Sequence, residues 1–370
     1  MDLSYWEYKT WFSNIDFTII GSGIVGLNCA LELQRRHPKA KIVILEKGLL
    51  PQGASTKNAG FACFGSISEI CEDLDHHSEE EVLKLVQKRW DGIQLLRKNI
   101  GDKALDYQRL GGHELFINTD TALYESCMER LDDINKLLFP VFNKVAFEPH
   151  PNQFGFKKIV QSYITNPFEA QINTGSMMQS LLQLVRASGV TIFNSMTLEG
   201  YSETVDGVVV KTSDIEFRTK KLLIATNGFA SKLLKEEVQP ARAQVVITKP
   251  IKDLTIKGTF HLDKGYYYFR NIDDRILFGG GRNLNFKAEE TSEMGLTSLI
   301  QNRLETLLRE TILPDIPFEI EQRWSGIMGM GAKKRPIVKN LSNHVSCGVR
   351  LGGMGIAIGS LVGKELADIT

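Results

Sequence analysis

Residues 16–26 read Asp16-Phe17-Thr18-Ile19-Ile20-Gly21-Ser22-Gly23-Ile24-Val25-Gly26. A short β-branched run ends at Gly21, and apolar residues then recur at helical spacing through Ile24, Leu27 and Leu31. From Lys41 to Leu45 the chain turns apolar again and ends at Glu46. Strand, glycine turn, helix, strand is a βαβ unit. Within the Gly21–Gly26 hexapeptide, which includes Ser22, Ile24 and Val25, the glycines have distinct tasks. Gly21 permits the tight turn, Gly23 lets a pyrophosphate approach the backbone, and Gly26 lets helix and strand pack closely. The helix N-terminus offers unpaired N–H groups and partial positive charge to phosphates. Glu46, with Lys47 beside it, stands twenty residues past Gly26, where an acid binds ribose hydroxyls and repels a 2′-phosphate. That argues against NADP and leaves NAD and FAD open.

The 370 residues are 42% hydrophobic and 24% charged, with 44 Lys plus Arg against 44 Asp plus Glu. At roughly 100–200 residues per domain this is an ordinary globular chain of two or three domains. Zero formal charge gives no electrostatic reason for a nucleic-acid partner. The five cysteines, Cys29, Cys63, Cys71, Cys127 and Cys347, contain no Cys-x-x-Cys pair. Reduced thiols in the cytoplasm are the simpler reading than a zinc site or a disulfide framework, and no metal is expected. Met1 to Asn14 has no signal-peptide pattern, and no apolar stretch approaches the roughly 18 residues of a membrane span. Trp6 and Trp11 are expected on a short helix packed on the body.

Further along, Ser78–Ile100 reads as a long helix with one apolar stripe, Glu114–Asn118 as a strand, and 122–138 as a helix. Thr174 is placed to cap a helix that stops at Gly189. Strands follow at 190–193, 207–211 and 222–225, then 245–248, 266–270 and 276–279. A helix is expected over 292–310 and another from Gly355 to Ile369. The β-rich middle between α/β segments suggests two interleaved domains.

The second site-bearing segment is Gly53-Ala54-Ser55-Thr56-Lys57-Asn58-Ala59-Gly60, small, polar and suited to wrapping an extended cofactor. Paired with Gly21–Gly26 and Glu46, it resembles the D-amino-acid oxidase superfamily of FAD-dependent oxidoreductases, which includes glycine, sarcosine and γ-glutamylputrescine oxidases. Later segments resemble the family in the same order: Leu222-Leu223-Ile224-Ala225-Thr226-Asn227-Gly228, Pro240–Gln244, Gly265–Arg270 with Gly279–Gly281, Trp324-Ser325-Gly326, and Arg350-Leu351-Gly352-Gly353-Met354-Gly355-Ile356. The resemblance implies a Rossmann-type FAD-binding domain (1–85, 166–236 and 320–370) interleaved with an antiparallel-sheet substrate domain (86–165 and 237–319), an α/β fold overall. It assigns to FAD the Gly21–Gly26 turn, Glu46, Lys47, Ser55, Thr56, Asn58, Ala59, Gly60, Ala225, Thr226, Asn227, Gly228, Gly326, Arg350 and Gly352 to Ile356. In the family the last helix's N-terminus faces the pyrimidine side of the flavin, where positive potential favours the charge that reduction places there.

This chain departs from the family at several points. No Cys lies between Cys127 and Cys347, so the resemblance implies noncovalent FAD rather than a cysteinyl link. Met328 stands where relatives carry an Arg for a substrate carboxylate, Gly331-Ala332-Lys333-Lys334 replaces a Thr-Pro-Asp-Gly turn, and Met354 replaces a His. Another cation could take over a carboxylate, or the remaining arginines pack and make surface ion pairs. Tyr266, Tyr268 and Arg270 share one strand face by the period of two, and Tyr268, Arg270 and Arg282 are the candidate substrate residues. His261 and His113 are two further side chains that could reach the site, and His76-His77 reads as a solvated helix start. The expected reaction is oxidation of the C–N bond of an amino acid or amine, with hydride passing to flavin N5 and electrons then to oxygen or another acceptor. A 2-hydroxy-acid substrate, which would need a base such as a His, and a non-catalytic flavin-binding subunit are the alternatives. Oligomeric state stays open.

Overall fold

The computed structural model describes residues 2–119 and 121–370. Strand Ile15–Ile20 lies between Ile42–Leu45 and Glu216–Ile224, parallel to both. Val345–Val349 extends the ladder on one side and Thr191–Phe193 on the other, also in parallel. Strands buried on both faces read as unbroken apolar runs, as Ile42–Leu45 does. Ile337–Asn340 closes one edge antiparallel, and Leu198–Thr204 with Gly207–Thr212 folds back onto the first half of Glu216–Ile224. Helices Ile24–Arg36, Glu79–Ile100, Thr174–Ala187 and Gly355–Asp368 cover one sheet face, and Phe12 with the meander covers the other.

A second, eight-stranded sheet runs Ile320–Met330, Gln239–Thr248, Arg275–Gly280, Tyr267–Ile272, Thr259–Leu262, Gly112–Leu115, Ser162–Asn166, Glu148–Pro151. All its pairs are antiparallel except Thr259–Leu262 with Gly112–Leu115. One face buries Phe260, Phe269 and Phe278 against helix Ser298–Leu307. By the period of two, the other face turns His261, Tyr268 and Val245 toward the strand ends of the first sheet. The α/β class with two interleaved sheets is as expected. Two elements sit astride the expected domain division: Ile320–Met330 bonds into the second sheet, and Glu79–Ile100 packs on the helices of the first.

Several local expectations are corrected. The helix cap is Asn173, whose side chain accepts the Ser176 N–H at 3.0 Å. Thr174 Oγ1 instead donates to Asn58 Oδ1 at 2.8 Å, tying that helix to the 53–60 segment. The helix expected from 292 begins at Ser298, because Ser325 Oγ accepts the Gly295 N–H and Thr291 Oγ1 the Glu293 N–H, holding 291–296 as a loop. The strand expected at 114–118 is Gly112–Leu115. Among residues 2–14 only Phe12 is buried, stacked on Phe193, while Trp6 and Trp11 are exposed rather than packed on the body.

Candidate active site

A cavity of about 580 Å³ runs between the C-terminal ends of the parallel strands and the inner face of the second sheet. Its first part is built by the βαβ turn. Gly21 has φ +102°, and a Cβ on Gly26 would stand 2.0 Å from the Gly21 carbonyl oxygen, so the strand–helix contact requires glycine there. Glu46 is buried; its Oε2 accepts the Ser22 N–H at 3.1 Å and the Ser22 hydroxyl at 2.7 Å, and its Oε1 accepts the Gly48 N–H at 3.0 Å. These bonds fix the carboxylate with lone pairs left to take hydroxyl donors. Lys47 Nζ lies 3.5 Å from the Phe229 ring centre.

In the middle of the cavity Ser55 Oγ accepts the Ile24 N–H at 2.9 Å. This places the 53–60 segment directly over the N-terminus of helix Ile24–Arg36. Thr226 Oγ1 is buried with no hydrogen-bond partner. A Cβ at Gly53 or Gly352 would meet nothing within 4 Å, so both backbones border open space. Asn227 Oδ1 accepts the Leu351 N–H at 3.1 Å, and the Gly352 N–H bonds Gly329 O at 2.9 Å. The glycine-rich entry to helix Gly355–Asp368 is thereby locked to strand Ile320–Met330. Arg350 Nε and Nη1 donate to the Arg335 and Glu237 carbonyls, bracing the same loop.

The facing wall is a row across the second sheet in which Tyr268 pairs with His261 on one side and Gly279 on the other. The Tyr268 ring lies flat over Gly279, where a Cβ would stand 2.6 Å from its Cε2. Phe61 meets both His261 and Tyr268 edge-on at 5.3 and 5.7 Å. Burial pushes the Tyr268 phenol up to about 12, so it remains a hydroxyl donor. His261 Nε2 is 2.6 Å from Glu169 Oε1, which also accepts the Thr259 hydroxyl at 2.8 Å. Burial pulls the His261 pKa down, but the charge and hydrogen bond of Glu169 outweigh it and raise it to about 9. The pairing favours the protonated imidazole ring. Arg282 is half-buried, with its guanidinium 5.6 Å from the Tyr266 ring and 5.0 Å from the Phe286 ring. It has no hydrogen-bond or ion-pair partner among the described residues. At the mouth, Lys334 pairs with Asp73 at 2.6 Å, and Lys264 and Lys334 approach Glu72 at 3.8 and 3.5 Å.

The structure therefore brings most of the expected residues to one cavity: Gly21, Gly23, Ile24, Val25, Glu46, Lys47, Ser55, Asn58, Ala59, Gly60, Ala225, Thr226, Asn227, Gly326, Arg350, Gly352 to Ile356, Tyr268 and Arg282. Ser22, Gly26, Thr56 and Gly228 stand behind its wall. Thr56 Oγ1 donates to the Pro51 and Gly53 carbonyls, and Gly228 lets the Met328 backbone approach. Arg270 does not line the cavity. It is buried, and its guanidinium donates to the Ala59 and Ile172 carbonyls, so it braces the 53–60 segment rather than facing a ligand. His113 is also turned away, bonded to Thr165 Oγ1 and packed among Phe154, Tyr163 and Phe260. Sequence reasoning missed Glu169, bonded behind His261, and Arg89, Glu69 and Glu72, which line the cavity; of these Glu69 alone is marked locally, by its capping box with Ser66.

The donor set fits FAD: a fixed carboxylate for ribose, a helix N-terminus and an orphaned hydroxyl at mid-cavity, and bare glycine backbone at the far helix. The sequence profile of the FAD-dependent oxidoreductase family matches residues 16–369. A probable oxidoreductase, OrdL of Haemophilus influenzae, is 22% identical, covering 97% of this chain and 83% of that protein. Glycine oxidase from Geobacillus kaustophilus superposes with a TM-score of 0.77 at 18% identity, over 96% of this chain and 94% of its own. Iminodiacetate oxidase from Chelativorans sp. BNC1 does so with a TM-score of 0.75 at 20% identity, over 95% and 94%. With the match running through both sheets and the cavity between them, the chain belongs to the family of FAD-dependent oxidoreductases.

Proposed function

We propose that this protein oxidises the C–N bond of an amino acid or a related carboxylate-bearing amine, with noncovalent FAD. The observation that carries this reading is Arg282, a half-buried guanidinium on the cavity wall beside Tyr266 and Tyr268 that has no anionic partner among the described residues. A half-buried cation left without a counterion is suited to a carboxylate arriving with the substrate. FAD, when bound between the glycine turn and helix Gly355–Asp368, would supply the acceptor for a hydride from the substrate's α-carbon. Arg282 holds the carboxylate, the Tyr268 hydroxyl donates to it, and the edge of Phe61 excludes water from the reacting carbon. The amine reacts unprotonated, and the imine product is hydrolysed by water. Oxygen or another acceptor would serve as the final oxidant.

His261 Nε2 is already engaged by Glu169, which favours the protonated ring over a base free to take a hydroxyl proton and so weighs against a 2-hydroxy-acid substrate. Noncovalent attachment is supported by Cys63, the one cysteine on the cavity wall: burial holds its thiol well above the usual range, away from the nucleophilic thiolate. All five cysteines are buried free thiols, consistent with a place in the cytoplasm. No helix of the described residues is long and apolar enough to cross a membrane.

The purified protein should be yellow, and its flavin absorbance should bleach anaerobically with amino acids or secondary amines but not with 2-hydroxy acids. Bleaching by hydroxy acids alone refutes the amine reading, and no bleaching by either class favours a non-catalytic subunit. Arg282→Met should raise KM for the carboxylate substrate by about thirtyfold, equivalent to about 2 kcal/mol.

A further inference from the structure

Arg89 stands midway along helix Glu79–Ile100 and is only 4% exposed. Nη1 of its guanidinium donates to the Phe64 carbonyl at 2.7 Å, and its Nε donates to nothing. No carboxylate pairs with it among the described residues. Arg270, equally buried, is satisfied by two carbonyls, whereas Arg89 has one carbonyl and an unbonded Nε, a deficit of several kcal/mol that an anion beside it would offset.

The position of Arg89 says which anion. It lines the cavity together with Cys63 and Met354, whose sulfurs are 3.8 Å apart. One turn further along its helix, Gly92 packs so closely on Ala357 that a Cβ would stand 2.0 Å from the Ala357 carbonyl oxygen. Ala357 lies in the first turn of helix Gly355–Asp368. Arg89 is thus fixed beside that helix's N-terminus, and its charge adds to the unpaired N–H groups there. Cys63 does not supply the anion, because burial favours its neutral thiol. The substrate's carboxylate has its own cation, Arg282, on the second sheet.

We propose that Arg89 is the fixed cation that compensates the negative charge acquired by the flavin ring on reduction, and so sets how readily the ring accepts an electron pair. This rests on the reading that the ring lies at the N-terminus of Gly355–Asp368. Arg89 is a positioning charge built into the protein before any ligand arrives.

The test uses the flavin-loaded enzyme and inorganic sulfite, which adds to oxidised flavins best where negative charge on the ring is stabilised. Arg89→Met should weaken sulfite binding by about tenfold or more and lower the flavin midpoint potential, with KM for the substrate unchanged. Arg89→Lys should restore most of the sulfite affinity at neutral pH. It should lose that affinity as pH rises through the lysine range, where wild type, with its guanidinium, does not. If Arg89→Met does not fold, the pH profile of Arg89→Lys decides alone. Coincident lysine and wild-type profiles, or a flavin-replete methionine variant that binds sulfite as wild type does, would overturn the proposal. A raised KM with unchanged sulfite affinity would assign Arg89 to the substrate instead. Protein that binds no flavin would overturn the placement of the ring as well.

Discussion

Arg270 meets only backbone oxygen at the end of its side chain. Burial lowers its pKa to about 10, still charged at neutral pH, and the Ala59 and Ile172 carbonyls act as its partners. A Cβ on Gly60 would stand 2.9 Å from its Nη2, so guanidinium and loop are fitted to one another. Arg270→Met should destabilise the protein by about 3 kcal/mol, the loss of two charge-assisted bonds, and should loosen FAD. KM for a carboxylate substrate should stay constant in the flavin-saturated variant; urea unfolding and flavin titration report the two effects, and a KM rise at saturation would return Arg270 to the substrate. Arg270 also marks the limit of legibility at this scale. Gly21, Gly26 and Glu46 are readable because their task is set by the chain within a few residues of them or at a fixed spacing. Arg270 shares its strand face with Tyr268, but whether its head reaches ligand or backbone depends on Ala59 and Ile172, both remote in sequence.

Elements were legible where periodicity or capping speaks locally. Glu79–Ile100 starts where Ser78 and Glu81 form a reciprocal cap, and the opening βαβ unit differs from expectation by single residues. Strand Glu148–Pro151 was not seen, because two prolines in four residues give no strand signal; it survives as a sheet edge. The loop before Ser298 was misread because polar side chains of other strands hold it. One such cluster is testable. Glu289, buried in the short helix Phe286–Glu289, takes Arg242 Nε at 2.8 Å and Nη2 at 2.9 Å, and Gln244 Nε2 at 3.1 Å. It fastens that helix to strand Gln239–Thr248. Glu289→Gln should cost about 3 kcal/mol in urea unfolding, since it leaves the guanidinium half-satisfied. A loss below about 0.5 kcal/mol would mean that the cluster holds shape without adding stability.

Across the whole molecule, the second sheet is tied by charge to a separate two-stranded ribbon that follows the 53–60 segment. His261 belongs to the second sheet, while Glu169 precedes Ala170–Gln171, whose strand pairs with Phe61–Ala62 under the cofactor segment. Because the folded His261 pKa is raised, the unfolded chain binds fewer protons between roughly pH 6.5 and 9. The stabilisation is fully present below about pH 6.5 and is lost as pH rises through about 9. Denaturant midpoints should fall over that window in wild type by the equivalent of a few kcal/mol. They should fall less in His261→Asn/Glu169→Gln; parallel curves would mean that the pair titrates as two ordinary groups.

Strand Val345–Val349 enters the first sheet beside Glu216–Ile224, and helix Gly355–Asp368 then lies against Ile24–Arg36. During synthesis the early βαβ crossover must therefore wait, with its inner helix face uncovered, until more than three hundred later residues have left the ribosome. A nascent chain paused before residue 345 has the glycine turn of the first crossover but not the glycine-rich entry to helix Gly355–Asp368, so the two ends of the cavity face one another only after that helix has emerged.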